Sequence, residues 1–244
     1  MLSKMRVRIH SWGRVVLKSL RRYFSKGELL LWAVSSGLIL LSFLFFDREN
    51  VLVLCASLVG AVSLLLNAKG NPVGQFCMIL FSLLYGVISY TFSYYGEMIT
   101  YLGMTAPMAL FALISWLRHP YEGNRAEVTV NRLKKREVGF MLFLAAIVTL
   151  LFYFILRSFN TANLLPSTLS VTTSFLAVYL TFRRSACYAL AYAANDLVLI
   201  LLWTLAVLED STYISVIVCF FLFFVNDIYG FLSWRKMGKR QRKE

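Results

Sequence analysis

The sequence contains few of the residues on which most catalytic and metal sites depend. Its 244 residues include only two histidines, four cysteines and four prolines. Both histidines, His10 and His119, fall outside the apolar segments, and the sequence has no CxxC or Cys/His cluster. These scarcities exclude a disulfide framework and a metal centre of the usual spacing, and they leave no Ser/His/Asp set for covalent catalysis. We therefore expect a protein that is not an enzyme and that carries no metal or other cofactor.

Charged residues are also scarce, at 15% of the chain, and acids are outnumbered 12 to 25 by lysine and arginine. The resulting net charge of +13 would suit a nucleic-acid partner. The basic residues, however, lie between long apolar runs and at the two ends of the chain. Hydrophobic residues make up 59% of the sequence, above the roughly 45–50% of soluble domains. The pattern predicts an all-α integral membrane protein whose partner is the lipid bilayer and not nucleic acid.

Eight apolar runs are long enough to cross a bilayer as helices. They cover residues 29–46, 51–67, 76–95, 98–116, 138–156, 166–182, 187–208 and 213–234. With eight spans, the segments on one side of the membrane hold 23 of the 25 basic residues. Because basic residues accumulate on the cytoplasmic side, we predict a multi-pass protein of the cell inner membrane with both termini in the cytoplasm.

The N-terminal segment, residues 1–27, has eight basic residues, no acid, and apolar residues at a spacing of three to four. This spacing predicts an amphipathic helix on an anionic membrane surface, with a solvated basic tail as the alternative. We divide the rest of the chain into an additional transmembrane helix (28–47), a first three-helix repeat (48–118), a cytoplasmic connector with a linker helix (119–157), a second three-helix repeat (158–236) and a basic tail (237–244).

The division into repeats depends on an internal similarity. The segment 114–118 (ISWLR) matches 232–236 (LSWRK), and Tyr85 stands against Trp203 at the same offset of 118 residues. Because a single span separates the two triplets, both would have the same orientation in the membrane. Parallel repeats of this kind occur in transporters that hold their substrate near the midplane. Chance similarity between two apolar stretches is the alternative.

Two acids lie well inside predicted spans, Asp196 and Asp227, and each follows an asparagine, Asn195 and Asn226. A carboxylate at such depth costs about 3 kcal/mol or more unless it faces protein, water or a ligand. These residues are therefore candidates for accepting hydrogen bonds from sugar hydroxyls or for pairing with a cationic ring. The alternative is a role in hydrogen bonds between helices, each contributing roughly 1 kcal/mol.

Aromatic residues accompany the first of these acids. Tyr188, Tyr192, Asp196 and Trp203 share one face of the seventh span. Tyr192, Trp203 and, in the third span, Tyr85 lie deep enough to stack on a flat ring, and a cationic ring would gain up to about 2 kcal/mol from this stacking. Packing against the core or lipid is the alternative. The pattern predicts a site for a flat heteroaromatic ligand.

Two further residues interrupt the apolar runs. Gln75 lies near the start of the third span and is a candidate polar contact to a ligand, or a residue of the membrane interface. Pro107 lies inside the fourth span, where the lost hydrogen bond predicts a kink, either as a hinge or as a static feature.

Several motifs resemble those of the PnuC-type nicotinamide riboside transporter family. They are Asn71-Pro72-Val73-Gly74, Leu83-Leu84-Tyr85-Gly86, Tyr94-Tyr95-Gly96-Glu97, Ile114 to Asn124, Tyr192-Ala193-Ala194-Asn195-Asp196, and Asn226 to Trp234. The likeness covers about residues 50–236. It implies a SWEET-like 3+1+3 helix bundle, a homotrimer, and facilitated diffusion of nicotinamide riboside that intracellular phosphorylation makes one-way.

The sequence departs from the family pattern at two places. The family has two tryptophans three residues apart, followed by an acid or amide; here these positions fall on Ala189, Tyr192 and Asp196. The family's MQ-x-Y-G-W segment corresponds to 108–113, without the amide. The resemblance thus implies uptake of nicotinamide riboside by alternating access, with thiamine, riboflavin or a deoxynucleoside as alternative substrates. A membrane sensor or scaffold acting through its basic termini is the hypothesis from another class.

Overall fold

The computed structural model describes residues 23–91, 95–161, 163–208 and 211–243. Within them, eight helices are long and apolar enough to cross a membrane, which confirms the predicted all-α, multi-pass architecture. The amphipathic helix predicted for residues 1–27 lies almost entirely outside the described residues. The helices are α1 (Lys26–Phe46), α2 (Val51–Ala68), α3 (Pro72–Thr91), α4 (Tyr95–Arg118), α5 (Lys135–Ser158), α6 (Leu164–Phe182), α7 (Tyr188–Val207) and α8 (Ile214–Arg240).

The helices keep the predicted order, but α3 begins earlier and ends earlier than the apolar pattern suggests. It starts at Pro72 and not at residue 76, because proline lacks an N–H and is well suited to the first helical turn. The connector between α4 and α5 contains two antiparallel strands, β1 (Pro120–Tyr121) and β2 (Asn124–Val128). The apolar pattern gives no sign of this hairpin, since its residues are mostly polar.

A wide helical turn precedes Pro107 in α4. Residues Tyr101–Thr105 form a turn of π-helix, and the N–H of Ala106 donates to the carbonyl of Tyr101. Proline has no N–H to offer to the carbonyl four residues earlier, so the backbone changes its hydrogen-bond spacing just before it. π-helical turns occur often at functional sites, and this one lies beside the cavity described below.

The helices form two triplets with reciprocal packing. In the first, α2 and α4 pack on α3; in the second, α6 and α8 pack on α7. The last helix of each triplet also packs on the first helix of the other, α8 on α2 and α4 on α6. Helix α5 packs on α6, and α1 packs on α2 and α8. The largest buried apolar cluster therefore lies between the two triplets.

Two tryptophans connect the triplets by equivalent hydrogen bonds. The indole N–H of Trp116 in α4 donates to the carbonyl of Thr181 at 2.9 Å, and that of Trp234 in α8 donates to the carbonyl of Asn67 at 2.7 Å. Both side chains are fully buried, and their ring centroids lie 5.3 Å apart. Each carbonyl lies near the end of its helix, and a residue with positive φ comes three positions later: Gly70 after Asn67, and Arg184 after Thr181.

Helix α1 is attached to both triplets through Glu28. The Oε1 atom of this carboxylate lies 3.2 Å from Nζ of Lys69, which follows α2, and accepts a hydrogen bond of 2.9 Å from Tyr229 in α8. Further along α1, Ser35 Oγ accepts a 2.9 Å hydrogen bond from Asn226 Nδ2. A helix that exposes much of its apolar surface is thus oriented by buried polar contacts.

We expect Glu28→Ala to lower the free energy of unfolding by about 1–3 kcal/mol, because it leaves the half-buried hydroxyl of Tyr229 and the ammonium of Lys69 without their acceptor. Thermal unfolding of the purified protein in detergent measures the effect. Glu49→Ala is the matched control, since Glu49 is exposed. Equal melting temperatures for the two variants would contradict a stabilising role of Glu28.

Candidate functional site

The two acids predicted within the membrane meet at the centre of the bundle. Asp196 of α7 and Asp227 of α8 are 4% and 3% exposed, and both line the same cavity. The Oδ2 atom of Asp196 has no hydrogen-bond partner among the described residues. The pair therefore retains an acceptor for a further group.

Both acids face a small cavity between the two triplets. The volume of this cavity is about 30 Å³, far below the roughly 300–1,000 Å³ of small-molecule pockets. A ligand of nucleoside size therefore requires the helices to separate. The polar wall consists of Tyr101, Thr105, Ser174, Tyr192, Asn195, Asp196 and Asp227, and the apolar wall of Gly60, Leu64, Met78, Phe81, Phe220 and Phe223.

The asparagines beside the acids bond to neighbouring helices. The Oδ1 atom of Asn195 accepts hydrogen bonds from Thr173 Oγ1 at 2.8 Å and Ser174 Oγ at 3.0 Å, both in α6. Asn226 donates to Ser35 in α1, as described above. Adjacent residues differ by about 100° around a helix. In each Asn-Asp pair the acid therefore faces the centre, while the asparagine side chain bonds to a neighbouring helix.

Tyr192 lies one helical turn before Asp196 and lines the cavity. Tyr188, another turn earlier, is buried outside the cavity lining and packs edge-on against Trp234, with centroids 5.0 Å apart. The rings of Tyr188 and Tyr192 are 6.1 Å apart and nearly perpendicular. Tyr188 thus supports the ring that faces the cavity.

Tyr85 and Trp203 form a separate aromatic layer at the other end of α7. The ring of Tyr85 lies 4.4 Å from that of Tyr101, and Tyr85 and Trp203 belong to the same buried apolar cluster. Trp203 also packs on Tyr213, at 5.3 Å. Neither Tyr85 nor Trp203 lines the cavity, but Tyr101 belongs to both groups and connects the layer to it.

Gln75 is used within the first triplet. Its Nε2 atom donates to Asn67 Oδ1 at 2.8 Å, and the side chain is 2% exposed. Asn67 in turn donates to Ser63 Oγ at 3.2 Å, so this chain of amides and hydroxyls joins α3 to α2.

The structure brings together four of the nine predicted site residues in the cavity wall: Tyr192, Asn195, Asp196 and Asp227. The other five lie outside it: Gln75, Tyr85, Tyr188, Trp203 and Asn226.

The apolar wall contains residues that the sequence reasoning missed, because phenylalanines are frequent throughout the chain. Phe223 is an example: its ring packs against Gly60, where an added Cβ would lie only 2.4 Å from a ring atom. Gly60 thus supplies the space that this ring occupies. Tyr101 was also missed, although the nearby Pro107 was a signal that α4 changes its geometry at this depth.

Comparisons with known proteins agree on one family. A family model described as nicotinamide mononucleotide transporter matches residues 50–236. The nicotinamide riboside transporter PnuC of Neisseria mucosa is 26% identical over 200 residues, which are 80% of this chain and 76% of that protein. The crystal structure of the vitamin B3 transporter PnuC has a TM-score of 0.79 and 22% identity, with 89% of this chain and 94% of that chain covered.

The match extends from the start of α2 into the last turns of α8 and so includes both triplets and the whole cavity, whereas α1 lies outside it. The predicted PnuC-type resemblance is confirmed. The match also favours transport over the sensor or scaffold hypothesis and over an enzymatic role. The chain belongs to the nicotinamide mononucleotide transporter family.

Proposed function

We propose that this protein takes up nicotinamide riboside by facilitated diffusion. The observation that carries the proposal is the buried pair of Asp196 and Asp227 in a cavity between two helix triplets. Nicotinamide riboside combines a positively charged, flat pyridinium ring with ribose hydroxyls. A carboxylate supplies both the opposite charge and the acceptors that such a molecule needs, and in a site of low dielectric the attraction is strong.

The lining of the cavity favours the riboside over the mononucleotide. Among the described residues that line it there are two carboxyl groups and no lysine, arginine or histidine. A phosphate group would be placed beside like charge with no cation to balance it, which is unfavourable at this depth. A nucleoside without phosphate avoids this repulsion.

The aromatic residues have distinct roles in this proposal. Tyr192 and Tyr101 line the cavity and stack on the pyridinium ring, while Asn195 holds α7 against α6 and completes the polar wall. Tyr85 and Trp203 form the aromatic layer through which the ring enters. Tyr188 supports Tyr192, and Gln75 and Asn226 keep the helices in register around the site.

Transport follows from relative movement of the two triplets around this site. We infer a SWEET-like 3+1+3 arrangement in which α2–α4 and α6–α8 are parallel repeats, α5 is the linker and α1 is additional. The reciprocal packing and the equivalent tryptophan hydrogen bonds support it. The small volume of the cavity supports alternating access, since the substrate fits only after the triplets separate.

Three further features belong to the proposal. The chain is divided as the sequence pattern predicts, into a basic N-terminal segment, an additional helix, two three-helix repeats joined by a connector with a linker helix, and a basic tail. The basic connectors support an inner-membrane location with both termini in the cytoplasm. The family resemblance implies a homotrimer. Large apolar side chains of α5, such as Phe143 and Leu150, are exposed and available for contacts between its subunits.

Uptake of labelled nicotinamide riboside into proteoliposomes tests the substrate. Because the acid pair attracts cations, excess unlabelled nicotinamide riboside and, more weakly, thiamine are expected to compete, whereas riboflavin, deoxynucleosides and nicotinamide mononucleotide compete little. Strong competition by the neutral compounds alone would reassign the substrate. Uptake that stops without a proton gradient would contradict facilitated diffusion.

Stacking by Tyr192 predicts a graded series. Tyr192→Ala is expected to lower uptake about ten-fold or more, which corresponds to the loss of roughly 1.4 kcal/mol of interaction, while Tyr192→Phe keeps the ring and most of the activity. Tyr90→Ala is the control, because Tyr90 is 61% exposed on α3. Normal uptake by Tyr192→Ala would remove this ring from the site.

A further inference from the structure

A second, larger cavity lies at the end of the bundle where α6 ends, α7 begins and α8 ends. Its volume is about 560 Å³. Its floor is apolar and includes the buried side chains of Met141, Leu180 and Trp234. Its rim carries the basic residues Arg132, Arg235, Lys239 and Arg242, all exposed. We call this cavity the basic groove.

The positive charge of the basic groove is not balanced by its own lining, in which no described residue is acidic. Two acids of the adjoining connector and helix α5 pair with other residues. Glu137 forms an ion pair with Arg183, and Glu127 forms one with Arg240. In the turn before α7, burial and then the neighbouring charge of Arg183 lower the pKa of Arg184. The region thus has an excess of positive charge that an anion would relieve.

The apolar floor continues onto the outer surface of the bundle. Val138 lines the groove near the start of α5 and is 37% exposed, and Phe140 and Leu142 beside it are 55% and 54% exposed. These residues lie in the first turns of a membrane-spanning helix. A ligand in the groove can therefore place a charged group among the cations and an apolar chain along α5.

We propose that the basic groove binds an anionic phospholipid of the membrane leaflet in which it lies. The lipid phosphate would be held by Arg132, Arg235, Lys239 and Arg242, and one acyl chain would pack on the apolar floor and along α5. Clustered lysine and arginine side chains at a membrane surface attract anionic headgroups. The apolar floor favours a lipid over a free phosphate, because a free phosphate has no apolar group that could pack on it.

The test compares two variants with the same change in charge. The groove variant is Arg132→Gln, Arg235→Gln, Lys239→Gln and Arg242→Gln; the control is Arg118→Gln, Arg125→Gln, Lys135→Gln and Arg136→Gln, which are exposed and outside the groove. Melting temperatures of the purified full chain in detergent are measured against added phosphatidylglycerol, phosphatidylcholine and inorganic phosphate. A second readout is the alkylation rate of Cys187, which lines the groove and is exposed, relative to that of Cys55.

The wild type and the control are expected to be stabilised by phosphatidylglycerol and not by phosphatidylcholine, and the groove variant to need about ten-fold or more lipid for the same shift. Phosphatidylglycerol should also slow alkylation of Cys187 more than that of Cys55, except in the groove variant. Equal responses of the two variants, equal effects of both lipids, or stabilisation by inorganic phosphate in place of lipid would each overturn the proposal.

Discussion

Asp196→Asn is expected to lower kcat/KM for nicotinamide riboside uptake about ten-fold or more, with little change in folding. The amide has nearly the same shape as the carboxyl group and still makes hydrogen bonds, so the variant removes mainly the negative charge that faces the substrate ring. A ten-fold loss corresponds to about 1.4 kcal/mol, a modest share of what an opposite charge contributes at low dielectric. Initial rates in proteoliposomes over a range of substrate concentrations measure the effect.

Asp227→Asn is expected to have a similar effect, and the double variant should lose less than the two single losses combined. The two carboxyl groups line the same cavity, and the effects of residues that share a partner are coupled and non-additive. Uptake of the neutral, reduced form of nicotinamide riboside provides an internal comparison, because it lacks the ring charge. We expect its uptake to be much less sensitive to either substitution.

Glu97→Gln is the matched control for these variants. Glu97 is also a buried acid of a membrane span, at 6% exposure, but it does not line the cavity. Its neutralisation should leave uptake of the cationic and neutral forms in the same ratio. Equal losses for Glu97→Gln and Asp196→Asn, or equal losses for the two forms of the substrate, would show that the acid pair does not recognise the ring charge.

Trp234→Ala and Trp116→Ala are each expected to lower the free energy of unfolding by about 3–5 kcal/mol. Each removes a fully buried indole and leaves a cavity. Each also breaks a hydrogen bond to a carbonyl at the end of a helix in the opposite triplet. Trp→Phe at either position separates the two contributions, since it fills most of the volume and removes only the hydrogen bond, at about 1–3 kcal/mol.

Thermal unfolding in detergent, followed by near-ultraviolet circular dichroism, measures these losses. Trp32→Ala serves as the control because Trp32 of α1 is 38% exposed, and its melting temperature should change little. Similar losses at Trp116 and Trp234 would agree with their equivalent positions in the two triplets. A large loss at one and none at the other would contradict the reciprocal arrangement.

The sequence alone determined the number and order of the spans and the presence of acids within them. Both are consequences of the bilayer. Backbone groups must form their hydrogen bonds within a helix, and a buried charge is costly enough to be rare unless it has a partner or a function. The family resemblance followed from motifs such as Asn195-Asp196 and Asn226-Asp227, and it was confirmed. The polar hairpin Pro120–Val128 was missed because it lies outside the apolar runs.

Only the tertiary structure decided which side of each helix faces the centre. A span that is apolar all round has no distinct polar face, so the sequence did not distinguish Asp196 and Asp227, which meet in the cavity, from Gln75 and Asn226, which bond to neighbouring helices. The same uncertainty applies to aromatic side chains, of which Phe223 lines the cavity and Trp203 does not. The inward face of each helix is chosen by contacts with distant parts of the chain, and these contacts exist only once the helices pack.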